Sequence, residues 1–296
     1  MLTCFQLAKW FLRHDRAAYS GLRTVKVMQK GALAPVAADI LGFVNHHYRG
    51  DPIAAYAKRS EALRILQLQF EKSGAYPASR YAEVAPIDDE EYKLSLLLSF
   101  VCTNHRFEIL DELKRSLRAP GAGAPKKLLC VGYGTGYELK VARDILPDWS
   151  IDAFDNSPQS FDHAADLLRY FKCGPVNLRR ENFPIESGDG YRDAFGKIVL
   201  CEVLEHLENP AAALRGLRSA LHDQGTMFLT MAINIAQEDH IYLYRNVAEA
   251  RAQVLSCGFK ILRELAAPAA ILPFTEAERE GRFQKGNYVC VVAKAT

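Results

Sequence analysis

Between residues 90 and 118, apolar side chains recur three and four positions apart, at Leu94, Leu97, Leu98, Val101, Phe107, Leu110, Leu113 and Leu117. That period is one buried face of a helix. Asp88 with Glu91 three residues on makes a capping-box start for it. The predicted helix is unusually long, and Thr103-Asn104 is where an interruption is expected. Upstream, Asp51-Pro52 offers an N-cap followed by proline at the first helical position, and a periodic run to about Phe70 follows. The pattern changes after the small, breaker-rich stretch Ala119-Pro120-Gly121-Ala122-Gly123-Ala124-Pro125. The expected division is a helical cap or substrate domain over 1–118, a linker over 119–126 and a second unit over 127–296.

The second unit alternates strands and helices. Lys127 to Val131 is a short apolar run suited to a strand covered on both faces. A helix from about Tyr137 to Leu146 follows, then a strand at Ile151 to Phe154 and a helix opened by Ser157-Pro158. Further strands are expected near Val176-Asn177-Leu178, at Ile198 to Cys201 and at Thr226 to Ala232. Asn209-Pro210 and Asn246 with Glu249 open two more helices, the second ended by Cys257-Gly258. Phe259 to Leu265 and Tyr288 to Ala293 close the chain as an antiparallel pair, with a short helix expected in the charged Glu276–Glu280 stretch between them. Repeated βα units predict an α/β fold with a doubly wound, mostly parallel sheet and right-handed crossovers.

Composition narrows the functional classes. Over 296 residues, 49% are hydrophobic and 24% charged, which suits a packed core. The net charge of +2 is too balanced for a protein that coats DNA or RNA, so no nucleic-acid partner is expected. The charge is split, +5 over 1–126 and −3 over 127–296, which suggests two units with separate tasks. Seven cysteines without a C-x-x-C pair lack zinc-ligand spacing and point to a reducing compartment. His46-His47 has no further ligand beside it, so no metal is predicted. The first twelve residues make a poor secretion signal, and no apolar run is long enough for a membrane span; a cytoplasmic location is expected. Oligomeric state is not encoded at this level.

The first strand of the second unit exits into Gly132-Tyr133-Gly134-Thr135-Gly136, and Asp155 ends the next strand, 19 residues after Gly136. Glycines allow positive φ and let a ligand lie on bare main chain, while a carboxylate at that second position can accept the hydroxyl protons of a ribose. Leu129-Cys130-Val131-Gly132-Tyr133-Gly134-Thr135-Gly136 resembles motif I of class I S-adenosylmethionine-dependent methyltransferases. Ile151 to Ser157 resembles their second-strand acidic end, and Cys201-Glu202-Val203-Leu204-Glu205-His206-Leu207-Glu208-Asn209-Pro210 resembles the segment after their fourth strand. The likeness covers about 126–296, including Gly225 and Gly258-Phe259, and leaves the N-terminal helical region unassigned.

The resemblance implies a seven-stranded Rossmann-like sheet and S-adenosylmethionine as cofactor. It implies that Gly132, Tyr133, Gly134, Thr135 and Gly136 face the methionine and ribose, and that Asp155 binds the ribose hydroxyls with Asn156 beside the adenine. Asn182 and Phe183 would meet the adenine, by hydrogen bonding and by packing on the ring, and Glu202 would stand near the reacting end. One departure stands out: family members often carry Asp near the start of strand four, where this chain has Phe195-Gly196-Lys197.

Methyl transfer needs alignment of nucleophile, carbon and sulfur in a dry pocket, and an oxygen or nitrogen acceptor benefits from a base such as histidine. His206 and His240 are the candidates, each weighed against local packing. Tyr76, Tyr81, Arg106 and Tyr242 are candidate substrate contacts, with Arg106 or Arg80 suited to a carboxylate and Tyr242 or Tyr244 to a cation–π contact with the sulfonium. The expected activity is methyl transfer to a small molecule, in secondary metabolism. The alternative is attack on the aminocarboxypropyl carbon, as in nicotianamine synthases or in cyclisation to azetidine-2-carboxylate, with release of methylthioadenosine. An NAD-dependent dehydrogenase is disfavoured because Tyr137 stands where the third glycine of G-x-G-x-x-G would fall. A non-catalytic binding protein would need the cofactor crevice blocked.

Overall fold

The computed structural model describes residues 1–14, 34–84, 90–121, 123–269 and 285–295. Asp88, and with it the expected capping box, lies outside the described residues, as does the helix expected near Glu276–Glu280.

Among the described residues, five α-helices precede the sheet: α1 (Cys4–His14), α2 (Ala34–His47), α3 (Pro52–Ser73), α4 (Glu90–Cys102) and α5 (Asn104–Arg118). Asp51 caps α3 by accepting the Ile53 and Ala54 amides. The long apolar run is broken where expected. Thr103 is extended (φ −125°, ψ 138°) and its hydroxyl donates to the Ser99 carbonyl, so α4 ends and α5 starts on a new axis.

The alternating half builds β1 (Lys127–Val131), α6 (Tyr137–Ile145), β2 (Ser150–Asp155), α7 (Pro158–Tyr170), β3 (Asn177–Arg180), β4 (Phe195–Leu200), α8 (Pro210–Ala220), β5 (Leu221–Ile233), α9 (Val247–Ser256), β6 (Phe259–Pro268) and β7 (Gly286–Lys294). Ser157, Asn209 and Asn246 cap α7, α8 and α9 through side-chain oxygens. The sheet runs β3-β2-β1-β4-β5-β7-β6. Six strands run in one direction, and β7 enters between β5 and β6 antiparallel to both. This is the seven-stranded Rossmann-like arrangement the resemblance implies. The chain leaves β1 toward β2 in one direction and returns to β4 on the other side, so the crevice for a ligand opens at the carboxyl end of β1.

Every residue of β4 is buried, including Lys197. Its ammonium donates to the carbonyls of Ser116 (3.0 Å) and Ala119 (3.1 Å) at the end of α5. Lys197 thus ties β4 to the end of a neighbouring helix. Burial lowers the Lys197 pKa to about 8, with Arg263 acting in the same direction.

The helices before residue 119 do not form a core of their own. Leu7, Val36, Phe43, Leu98, Leu110 and Leu113 belong to one continuous apolar cluster with Leu128 of β1, Phe228 of β5 and Val289 and Val291 of β7. Arg263 of β6 also bonds buried Glu112 of α5 at 2.7 Å. The 119–126 segment therefore joins two parts that contribute to one apolar cluster. A second cluster under α8 and α9 covers the opposite face, giving three layers. Among the described residues, no helix is long and apolar enough to cross a membrane.

Candidate active site

Three glycines follow β1 at positive φ: Gly132 (71°), Gly134 (49°) and Gly136 (80°). They serve different ends. A Cβ on Gly132 would lie 2.5 Å from a methyl of Val203, and one on Gly136 would lie 2.7 Å from the Ala164 Cβ, so both are required by packing. A Cβ on Gly134 would meet nothing within 4 Å, which leaves its main chain open to the crevice. Between them, Tyr133 and Thr135 turn inward. The Tyr133 ring is 2% exposed with its hydroxyl donating to the Arg179 carbonyl, and the Thr135 hydroxyl accepts the Tyr137 amide at the start of α6. As cofactor contacts these two can offer main chain only, which narrows the expectation placed on their side chains.

Asp155, at the end of β2, turns toward the glycines. Its Oδ2 accepts the Gly134 amide at 2.9 Å and its Oδ1 accepts the Ser157 amide at 3.0 Å. Each oxygen keeps a second lone pair, and the residue is half-buried, so the carboxylate is oriented yet still able to accept ligand hydroxyls. Asn156 beside it is exposed. Tyr81, in the 3₁₀ turn Tyr81–Glu83, lies across it, with its hydroxyl 3.5 Å from Asn156 Nδ2 and its amide bonded to Glu208. The structure thus puts Tyr81 at the Asn156 edge. Asn182 is exposed on its loop. Phe183 corrects the expectation: its ring is 4% exposed and packs on Phe154, Tyr191 and Phe195, so it fills the core under the crevice and offers no face to an adenine.

Arg106, near the start of α5, reaches the other end of the glycine turn. Its guanidinium lies over the Phe100 ring, 3.5 Å from Glu138 of α6 and 4.0 Å from Glu202 after β4. Its Nε is buried without a hydrogen-bond partner. Glu138, which the sequence reading did not single out, is raised in pKa by burial, and Arg106 opposes that rise. Glu202 adopts φ 55° and is held by Thr230 Oγ1 (2.5 Å) and Asn287 Nδ2 (2.8 Å to each oxygen). Its carboxylate is fixed to β5 and β7 at the head of the sheet.

Beyond Glu202 a third group gathers at the carboxyl ends of β4 and β5. Glu205 and His206 lie in the 3₁₀ turn Leu204–His206, and His240 lies in the loop after β5. One oxygen of Glu205 and one ring nitrogen of each histidine fall within 4.8 Å of one another. Glu205 is fully buried and His240 1% exposed. Burial, and after it Glu202, drives the Glu205 pKa well above the carboxylate range. The Glu205 and Ala232 amides act against that rise, yet neither carboxylate oxygen has a partner in hydrogen-bond geometry. His240 is pushed down to about 3 by burial and by His206. Glu202 raises both Glu138 and Glu205, which places it between the Arg106 end and this cluster.

Tyr76 stacks edge-on to His240 (5.6 Å between ring centres) with its hydroxyl buried and unpartnered, so it stands at this end. Tyr242 is tied to the same end through its amide, which bonds the Glu205 carbonyl at 2.9 Å, while its hydroxyl accepts from Gln253 of α9 and its ring packs on buried Tyr244, so the side chain also supports the loop. Helix α3 fastens the same loop from above. Arg59 pairs with both oxygens of Glu238 at 2.7 Å, and Gln67 bonds the Asn234 carbonyl and the Ala236 amide. The grouping of Glu205 with His240, 35 residues apart, has no local signal in the sequence.

A family model described as a methyltransferase domain matches residues 103–254. Solved structures to which this chain is similar include the [4+2]-cyclase SpnF, at 17% identity over 64% of this chain and 80% of that one, TM-score 0.48. They also include the O-methyltransferase of a trans-AT PKS multienzyme of Brevibacillus brevis in complex with S-adenosylhomocysteine, at 15% identity over 70% and 77%, TM-score 0.49. A third is a putative S-adenosylmethionine-dependent methyltransferase from Listeria monocytogenes, at 15% over 64% and 100%, TM-score 0.47. No curated protein matches this chain.

Proposed function

Because the chain belongs to the methyltransferase-domain family within the class I S-adenosylmethionine-dependent superfamily, we propose that it transfers the cofactor's methyl group to a small molecule, in a specialised metabolic role. Its cofactor is S-adenosylmethionine. The residues present suit that group, since the open main chain at Gly134 and the carboxylate of Asp155 form two sides of one crevice. Asp155, bonded to Gly134 across the crevice, is the observation that carries the reading.

The bound cofactor supplies a methyl group already activated on a sulfonium. The protein's part is binding, orientation and exclusion of water. Asp155 accepts the ribose hydroxyls, and Asn156 lies at the adenine edge under Tyr81. Arg106, with loose ion pairs and a free Nε, is suited to the methionine carboxylate or to an acidic acceptor. His206 and His240 stand at the acceptor end, where their ring nitrogens would act on an acceptor O–H or N–H either directly or through an ion they hold. The cover given by α3 and the Tyr81 turn, with a near-neutral net charge, supports a small acceptor over a nucleic acid. Seven free cysteines support a reducing, cytoplasmic setting.

Titration with S-adenosylhomocysteine tests the reading. Asp155→Ala is expected to weaken binding about 10- to 100-fold, the range for hydrogen bonds to a charged group. Gly134→Ala, whose added methyl points into the crevice, should do the same with a stability cost near 1 kcal/mol. Affinity unchanged in both variants would remove the assignment. Incubation with S-adenosylmethionine alone decides which carbon is attacked: methylthioadenosine would signal aminocarboxypropyl chemistry, and no turnover without an acceptor is the expected result.

A further inference from the structure

We propose that Glu205, His206 and His240 form a binding site for one divalent transition-metal ion at the acceptor end of the crevice. The donor set is two imidazoles and one carboxylate, drawn from two loops that the sheet brings together. That set suits Zn²⁺ and its first-row neighbours and leaves a coordination position for an exogenous oxygen or nitrogen.

Three observations carry the assignment. Both histidines are held through Nδ1 by main-chain carbonyls: His206 by Asp239 at 2.9 Å, and His240 by Ile235 at 2.8 Å. A carbonyl only accepts, so each Nδ1 carries the proton and each Nε2 presents a lone pair, the tautomer that second-sphere carbonyls impose on metal-bound histidine. His240 Nε2 is buried and has no hydrogen-bond partner. Both oxygens of Glu205 are likewise buried and without a partner, in a side chain with no exposed surface. A buried carboxyl group gathered with two imidazole nitrogens, its oxygens without a partner among the described residues, leaves polar atoms unpaired that a cation between them would satisfy. Donors around a tetrahedral ion with bonds near 2.1 Å stand roughly 3.4 Å apart, so the observed cluster, within 4.8 Å, needs only a modest contraction to close on one.

Occupancy stands apart from the methyl-transfer reading; the metal's use rests on that reading. There, the open position would bind an acceptor hydroxyl or phenol as its anion, with the proton passing to solvent; the oxygen–methyl bond would form as the sulfur–methyl bond breaks, and S-adenosylhomocysteine would leave.

Tag-free, chelator-treated protein titrated with Co²⁺ tests the site. One equivalent is expected to bind, with visible d–d absorption of nitrogen and oxygen ligation and no thiolate charge-transfer band. Zn²⁺ should displace it and raise the melting temperature by several degrees. Glu205→Gln and His240→Gln are each expected to weaken Co²⁺ binding at least tenfold while keeping the far-UV circular dichroism of the wild type. Should either buried variant fail to fold, His206→Gln, whose side chain is 25% exposed, provides the same readout. Absence of saturable binding at micromolar Co²⁺, thiolate bands, or undiminished binding in the folded variants would overturn the assignment.

Discussion

At the residue scale, burial of neutral histidine makes the fold sensitive to acid. His163 of α7 donates through Nδ1 to the Thr135 carbonyl, under the glycine turn. Burial lowers its pKa from 6.5 to about 4; the Thr135 bond opposes the fall, His47 and Lys93 add to it, and Asp166 opposes it. Between these values the unfolded chain binds the proton more readily than the folded one. The stabilisation is therefore complete above about pH 6.5 and is lost as pH falls toward 4, about 3 kcal/mol in all. Denaturant unfolding at pH 7.5 and 4.5 should show that slope, and His163→Gln should flatten it. An equal slope in the variant would mean the imidazole is not held neutral. Glu202 teaches a complementary lesson: a non-glycine residue at φ 55° is retained where its carboxylate ties β5 and β7 together.

At the element scale, α5 ends on a lysine of another element. Lys197→Met would strip the donor from two carbonyls at the end of α5, and we expect a loss of about 1–3 kcal/mol in denaturant unfolding. Helix α3 holds the loop after β5 through Arg59. Arg59→Met is expected to speed amide exchange across residues 234–240 selectively; uniform protection there would show that Gln67 alone fastens the loop. These ties also explain what the sequence could disclose. The glycine turn, Asp155 and the capped starts of α3, α7, α8 and α9 were legible because each signal is contained in a few neighbouring residues. The partnership of Arg106 with Glu138, the cap from Lys197 and the convergence of Glu205 with His240 depend on contacts across 32 or more residues, which no local pattern encodes. Phe183 shows why the rest was not: an aromatic ring beside a ligand position and one packed in the core look alike in sequence until packing chooses.

At the scale of the whole molecule, the N-terminal helices and the sheet share a core, so equilibrium unfolding should be a single transition. Leu113, fully buried in α5, lies in the cluster that includes Val289 and Val291. Leu113→Ala is expected to cost 2–5 kcal/mol, taking helical and tertiary signals together. A variant that lost only the helical signal would show that the first hundred residues fold as a separate unit.

The same seating has a consequence for synthesis. The ribosome delivers α1 to α5 well before β7, yet β7 lies between β5 and β6 and supplies part of the surface on which those helices rest. Until β7 emerges, the early helices have no finished floor, and a nascent chain stalled before residue 286 leaves part of their apolar surface without its partner. Chaperone dependence should therefore be greater for chains stopped just short of β7 than for the same chains carried past it.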